Sequence, residues 1–501
     1  MKSERKHNLL FWLLIGMALV SFLFVFFTRM HRIGVFDGDD WTYIGYARDA
    51  LPNAKAWNPT RVFPEIFMPL VGAIAAFVVT PLAGDYLNAM TLTYAFVFSV
   101  CIAGYILIFS WSMKKSFHLE NQQMVVCTAF FLTAHFWIFR TGYDGNSYLF
   151  LTRNLTCVFY YTIPTIWNAA LVILFEETPN IWKDSSMRNK GILVLAIYLA
   201  IYSNLFSSIV LVAYCGVVIL QRIIWKAIRE KGKAQLAVSI KQNAIYVGII
   251  AIWLVSLLFE FKGGRAGSVG TAGGLTGVRN AASYLNSSLK NINKYFMIFT
   301  IGTVLLTIGS VVNRIIRKED REEKKFLGKE VRFLLCAGVT ALYQVLLCGV
   351  TSLSGYLSCA DVQISIYFFL LAALFYAVCY VLKRFNVVEI LLPLILCIAI
   401  FNCNTQGKTF QDSYQSGVPE KMATAMTKDL YEQILEADRI HLKEMNLYVP
   451  AFQNSADNWP MANYLGERMA QTLYKHGQIS EPMNITVCLS QDKNELFGIG
   501  E

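Results

Sequence analysis

The chain has 501 residues and a formal net charge of +10; 55% of its residues are hydrophobic and only 16% are charged, against roughly 25% charged in ordinary globular chains. So few charges, with a positive mean hydropathy, make lipid the main solvent and exclude an ordinary soluble protein. The basic residues fall in short segments between apolar runs and form no basic face with interleaved aromatics, which argues against a nucleic-acid partner.

From the N-terminus, Lys2, Arg5 and Lys6 precede an apolar run over residues 9–27. The run is too long for a signal-peptide core and no small-residue cleavage site follows, so it reads as an uncleaved first span. Further runs long enough for roughly 30 Å of hydrocarbon occupy residues 89–111, 124–139, 156–175, 243–261, 296–312, 331–350, 364–382 and 387–402. Residues 191–221 are too long for one span and are interrupted by Ser203-Asn204 and Ser207-Ser208, which predicts a tight hairpin of two short helices. The expected fold is an all-α polytopic membrane protein of about eleven transmembrane helices over residues 1–402, followed by a small extracytoplasmic α/β module over residues 403–501.

The apolar stretch Phe67 to Leu82 decides the sidedness of everything after it. If it lies at the outer surface, Lys114, Lys115, Lys183, Arg222, Arg314, Lys329 and Lys383 all fall inside. The inner segments then hold about twice as many Lys and Arg as the longer outer loops ahead of the tail, the bias expected of cytoplasmic loops. Pro64, Pro69 and Pro81 also suit a short interfacial or re-entrant helix. The N-terminus is then cytoplasmic and the large outer segments are residues 28–88, residues 262–295 and the tail. In the tail, helical patterns at Pro419 to His441 and Pro460 to Lys475 alternate with strand-like Asn446 to Val449 and Asn484 to Leu489, an αβαβ order.

In the first outer loop, Phe36-Asp37-Gly38-Asp39-Asp40-Trp41 concentrates three carboxylates, with Gly38 letting the chain turn. Carboxylates this close either raise one another's pKa or recruit a cation. A raised carboxylate is a better general base, and a charged pair such as Asp37 and Asp39 can hold Mg²⁺ or Mn²⁺. The plainer alternatives are a solvated loop with an Asp-rich turn, or capping of a helix over Trp41 to Ala50. Arg61 and Glu65 add a cation and an acid among aromatic residues. The second outer loop offers Arg140, Asp144 and Arg153, and arginine forks onto phosphate oxygens. The alternative is that both arginines simply mark helix ends. Asn154-Leu155-Thr156 matches a glycosylation sequon but lies close to the membrane.

The glycine-rich residues 263–274 lack the spacing of a nucleotide loop. They read either as a mobile loop carrying Lys262, Arg265 and Arg279 over an anionic lipid-linked substrate or as a connector. Arg314 to Arg332 alternates bases and acids and reads as a solvated helical connector. His135, alone among apolar residues, reads as a hydrogen-bonded structural residue, and the scarcity of ionisable groups in the spans argues against an ion-coupled pump. The eleven cysteines show no CxxC pair. They read as packing thiols, with one disulfide among Cys359, Cys403 and Cys488 as the alternative.

The basic N-terminus and first span, the DGDDW of residues 37–41, the proline-rich segment after it, the many further spans and the outward tail together resemble the GT-C superfamily of membrane glycosyltransferases. Within it, the chain looks most like bacterial Gtr-type glucosyltransferases, which use polyprenyl-phosphate sugars on the outer side of the cytoplasmic membrane. The tail stretches Leu447-Tyr448-Val449-Pro450, Asn458-Trp459-Pro460 and Leu473-Tyr474-Lys475-His476-Gly477 look like a module of some Gram-positive members.

This resemblance implies that one of Asp37, Asp39 and Asp40, with Asp39 and Asp40 preferred, is the catalytic base, and that a second orients the acceptor or binds a metal. It implies a polyprenyl-phosphate-sugar donor and a surface polysaccharide or glycolipid acceptor, with Arg61, Arg140, Arg153 and Arg265 offsetting phosphate charge. The chain departs from the lysine-bearing proline motif of aminoarabinose-type relatives, having Pro64-Glu65 instead. The competing functional classes are a transporter or flippase of lipid-linked glycans and a polymerase or ligase of surface polysaccharide.

Overall fold

The computed structural model describes residues 2–48, 59–139, 149–150, 154–229, 243–262, 273–317, 320–351, 353–403, 409–410, 418–451 and 463–498. Its first part is a succession of apolar helices. They are α1 (Lys2–Val25, prolonged by a π turn to Met30), the short α2 (Gly38–Gly45), α3 (Val62–Ala83), α4 (Tyr86–Phe117), α5 (Asn121–Trp137), α6 (Leu155–Glu177), α7 (Met187–Ile201) and α8 (Leu205–Arg229). Then follow α9 (Ala244–Lys262), α10 (Gly274–Lys290), α11 (Lys294–Ile316), α12 (Asp320–Val350), α13 (Ala360–Leu382) and α14 (Asn386–Asn402). Among the described residues nine helices are long and apolar enough to cross a membrane. The polar break at Ser203-Asn204 separates α7 from α8 where the hairpin was predicted.

The tail adds two two-residue strands, β1 (Thr409–Phe410) and β2 (Val418–Pro419), then α15 (Glu420–Arg439), β3 (Glu444–Pro450), α16 (Leu465–Lys475), β4 (Asn484–Ser490) and α17 (Gln491–Phe497). β3 and β4 are parallel, from Glu444 opposite Asn484 to Pro450 opposite Ser490. A parallel pair needs a crossover, and α16 supplies it, with Leu447, Leu465, Met469 and Leu473 buried in the same core.

Helix α13 is the axis of the bundle. It is apolar all round, and 94% of its hydrophobic window is buried, against 22% in α9 and in α11. A helix without a polar face is stable only when surrounded, whereas α9 and α11 turn one side to lipid. Between apolar surfaces, short polar contacts fix the pairing of helices: Thr128 donates to Ser110 (2.7 Å), Thr165 to Ser207 (2.9 Å), and the Gln344 amide to Ser365 (2.7 Å). His135 is fully buried, with Nδ1 at 2.8 Å from the Phe131 carbonyl and Nε2 at 3.3 Å from the Tyr105 hydroxyl. That is the structural role expected of it.

At one end of the bundle three charges of α12, Glu323, Lys329 and Arg332, are held in ion pairs, contrary to the reading of Arg314 to Arg332 as a solvated connector, while Lys324 and Lys325 are exposed. Glu323, its side chain 1% exposed, is 3.0 Å from Arg314 and 3.1 Å from Arg384. Lys329 pairs with Glu177 and Arg332 with Glu176. Charge alternation along one helix does not reveal partners on others, and here those partners lie on α6, α11 and just beyond α13. Gly273, at the end of the glycine-rich stretch, does more than connect: a Cβ there would fall 2.1 Å from the Gly349 carbonyl oxygen. Gly277 of α10 packs on α12 so closely that a Cβ there would fall 2.2 Å from the Gly349 carbonyl oxygen.

Helix α3 has the length and hydropathy of a span, so its three prolines do not shorten it. Pro64 sits in its first turn, and a π turn at Ala75–Val79 follows Pro69. Its contacts nevertheless keep to one end of the bundle. The chain before its first turn meets Glu260 at the end of α9 (Arg61, 3.4 Å), and Phe63 donates its N–H to Tyr202 in the α7–α8 turn. Its later part reaches Phe77 against His476 of the tail. Leu70, Ile74, Phe77, Val78 and Leu82 form an exposed apolar stripe along it.

The buried ion cluster gives a stability test. Glu323→Ala strands two arginines and is expected to cost about 3–5 kcal/mol. Lys428→Ala, which breaks an exposed pair with Glu432, is expected to cost under about 1 kcal/mol. Thermal unfolding of the purified chain in detergent measures both.

Candidate active site at the acidic turn

The acidic residues build a helix start before they can do anything else. Asp37 is the N-cap of α2, extended at φ −82 and ψ 153, and its Oδ1 accepts the Asp39 N–H at 3.0 Å. Asp40 reaches back, and its Oδ2 accepts the N–H groups of Phe36 and Asp37, both at 3.2 Å. This is a reciprocal capping box with aspartate in both places, one of the plainer sequence readings, made over Gly38–Gly45 instead of Trp41 to Ala50.

The other oxygen of Asp40 ties the turn to the bundle. Oδ1 accepts the backbone N–H of Thr156 at 2.7 Å and its hydroxyl at 2.8 Å, both from the first turn of α6. Asn154, just before that turn, donates its amide to Asp37 Oδ2 at 3.1 Å while its own oxygen caps Cys157 at 3.0 Å. Asn154 is buried, so the sequon serves as a cap and a carboxylate ligand, not a glycan acceptor.

The three carboxylates thus have different environments. Asp40 is fully buried; burial, reinforced by the charge of Asp37, pushes it up to about 7 from 3.8, against the pull of the donors from Thr156 and Asp37. With two donors on each oxygen, its acceptor capacity is filled. Asp37 is buried, and Asp39 is exposed at the first turn. Of the three, Asp39 is the one at the surface.

Beside the turn, Glu65 accepts from Arg48 at 3.1 Å and from the Tyr160 hydroxyl at 3.1 Å. Tyr160 in turn lies against the ring of Tyr43 on α2, with centroids 5.0 Å apart. Arg61 is drawn away to Glu260 and adopts the left-handed conformation at φ 58, which is costly for a residue with a Cβ. The structure therefore joins Glu65 to the acidic helix and leaves Arg61 at its margin. Arg140, Asp144, Arg153 and Arg265 lie outside the described residues.

Sequence reading missed Arg48, Tyr160, Thr156, Glu260 and a buried acid, Asp361, at the first turn of α13. Glu260 alone left a signal, an acid inside the apolar end of α9. Among the described residues no three His, Cys, Asp or Glu side chains group to hold a metal ion. The oxygens of Asp37 and Asp40 are already turned to N–H and O–H donors, so the turn does not fit the oxygen-rich shell that Mg²⁺ or Mn²⁺ requires. The cysteines are free thiols.

The tail closes over this corner. Gly38 faces the ring of Tyr464, which a Cβ would meet at 2.3 Å, and Gly45 faces Thr472, whose Oγ1 a Cβ would meet at 2.2 Å. The Tyr86 hydroxyl is 2.7 Å from Nδ1 of the buried His476. No protein-family model, curated protein or solved structure matches the chain.

Two buried groups give this corner opposite responses to acid. Burial pushes His476 down to about 4, so its neutral form is the folded one and stability is lost as pH falls from about 6.5 towards 4. Asp40, raised to about 7, favours its proton in the folded state, so its contribution is full below the ordinary carboxylate range and lost as pH rises towards 7. Relative to wild type, the Tm of His476→Gln is expected to rise between pH 6.5 and 4, and that of Asp40→Asn to rise between pH 4 and 7. A flat difference curve for either variant contradicts its assignment.

Proposed function

We propose that this chain is a glycosyltransferase that moves one sugar from a polyprenyl-phosphate donor to a cell-surface glycan or glycolipid. In this reading about eleven helices cross the cytoplasmic membrane, namely α1, α4 to α9 and α11 to α14. The N-terminus and the ion cluster of α12 face the cytoplasm, and α2, α3, α10 and the tail lie on the outer face. The supporting argument for sidedness is that contacts of α3 run along one end of the bundle, opposite the end rich in Lys and Arg.

The observation that carries the reading is the exposure of one carboxylate of the acidic turn. Asp40 and Asp37 are buried and hold α2, while Asp39 is at the surface on a fixed backbone, next to an apolar helix suited to the membrane surface, where a lipid-linked donor would present its sugar. Asp39 would take the proton of the acceptor hydroxyl as the acceptor oxygen forms its bond to the sugar's anomeric carbon. The bond from that carbon to the phosphate oxygen breaks, and polyprenyl phosphate leaves with the electron pair. Cations of the outer segments, with Arg48, Arg61, Arg140, Arg153 and Arg265 as candidates, would offset the growing phosphate charge. No step requires a metal.

The test uses membranes given a radiolabelled polyprenyl-phosphate hexose and acceptor. Asp39→Asn is expected to lower label transfer by about 10²- to 10⁴-fold, the range for loss of a general base, at unchanged protein level and Tm. Undiminished transfer by Asp39→Asn removes Asp39 from the chemistry.

A further inference from the structure

We infer that the tail helix α16 is a positioning element for the acidic turn: Thr472 holds α2 by its backbone, with His476 beside it, which makes the tail part of the site. The role of α2 in catalysis rests on the function proposed above; the mechanical role of the tail does not. An eight-residue helix is below the length at which helices persist alone in water, roughly 12–15 residues. Its capping box secures only the first turn, and the rest of the helix needs a partner.

The tail supplies it. The Thr472 hydroxyl donates to the Trp41 carbonyl, the His476 ring lies beside the Ile44 backbone, and the Lys475 ammonium lies over the Tyr46 ring at 5.6 Å. Gly38 opposite Tyr464 and Gly45 opposite Thr472 let α2 and α16 run side by side in parallel at close approach. On the far side, Gly72 of α3 comes so near that a Cβ would sit 2.8 Å from the Ile44 carbonyl oxygen. The stack continues outward through Trp41, Tyr86 and Tyr431, whose rings lie parallel at 6.4 and 5.6 Å. The helix bearing the acids is thus clamped between the membrane domain and the tail. A module that only recognised acceptor would not need to bind the backbone of α2.

The experiment compares the full chain in detergent as wild type, Thr472→Val and Thr472→Ser. Valine keeps the shape and removes the hydroxyl; serine restores it. Hydrogen exchange of the amides in residues 41–46 is expected to speed up about tenfold in Thr472→Val, the loss expected for one hydrogen bond, and to return towards wild type in Thr472→Ser, while β3 and β4 stay protected. In the transfer assay kcat is expected to fall by a similar factor with the donor KM unchanged. Unchanged exchange in α2, or a change confined to the acceptor KM, overturns the inference. If wild type transfers no sugar, the function proposed above fails, and the exchange result alone still decides whether the tail positions α2.

Discussion

The burial of one carboxylate organises one corner of this protein. Asp40 lies with no exposed surface between two chain segments far apart in sequence, accepting from Phe36 and Asp37 on one oxygen and from Thr156 on the other. Each donor it satisfies also fixes something. The first two start α2, and the third docks that start onto α6. A buried carboxylate without partners would be expelled or neutralised, so the site exists only when both segments are in register. Asp40 therefore acts as a joint, and the carboxylate left at the surface of the turn is that of its neighbour Asp39.

That joint fits into a larger clamp. α2 is short, and its stability comes from packing on α3, α4 and α16 rather than from helix propensity. Close packing rests on glycine at positions 38, 45 and 72, where a Cβ would meet a neighbour at under 3 Å. At the opposite end of the bundle, Glu176, Glu177 and Glu323 hold four cations from neighbouring segments. Between these polar ends the helices are held by apolar packing and a few hydroxyl and amide contacts. The chain thus has two polar rims around an apolar middle, as expected of a protein that uses lipid as solvent.

Much of this was readable in the sequence for a simple reason: apolar runs and their interruptions are local. The hairpin at Ser203-Asn204, the helix-strand alternation of the tail and the capping role of Asp37 all depend on neighbours within a few residues. Contacts across the chain left no such trace. Nothing local in Thr156 announces a partner at Asp40, and Thr472 meets α2 across more than four hundred residues of chain. The charges around Glu323 looked solvated because alternation describes one helix while their partners lie on others. Gly273 looked like part of a loop because glycine serves flexibility and close packing alike. The segments that carry Arg140, Arg153 and Arg265 fall outside the described residues, so their part in the site rests on sequence alone.

The central claim is that a fixed acidic turn cleaves a lipid-linked donor at the membrane surface. The most direct measurement reconstitutes the purified chain in sealed vesicles containing polyprenyl-phosphate hexose, with acceptor glycan outside, and follows both halves of the donor. The account predicts free polyprenyl phosphate in amounts equal to the sugar joined to acceptor. Movement of intact donor between leaflets, with no polyprenyl phosphate released, would contradict it.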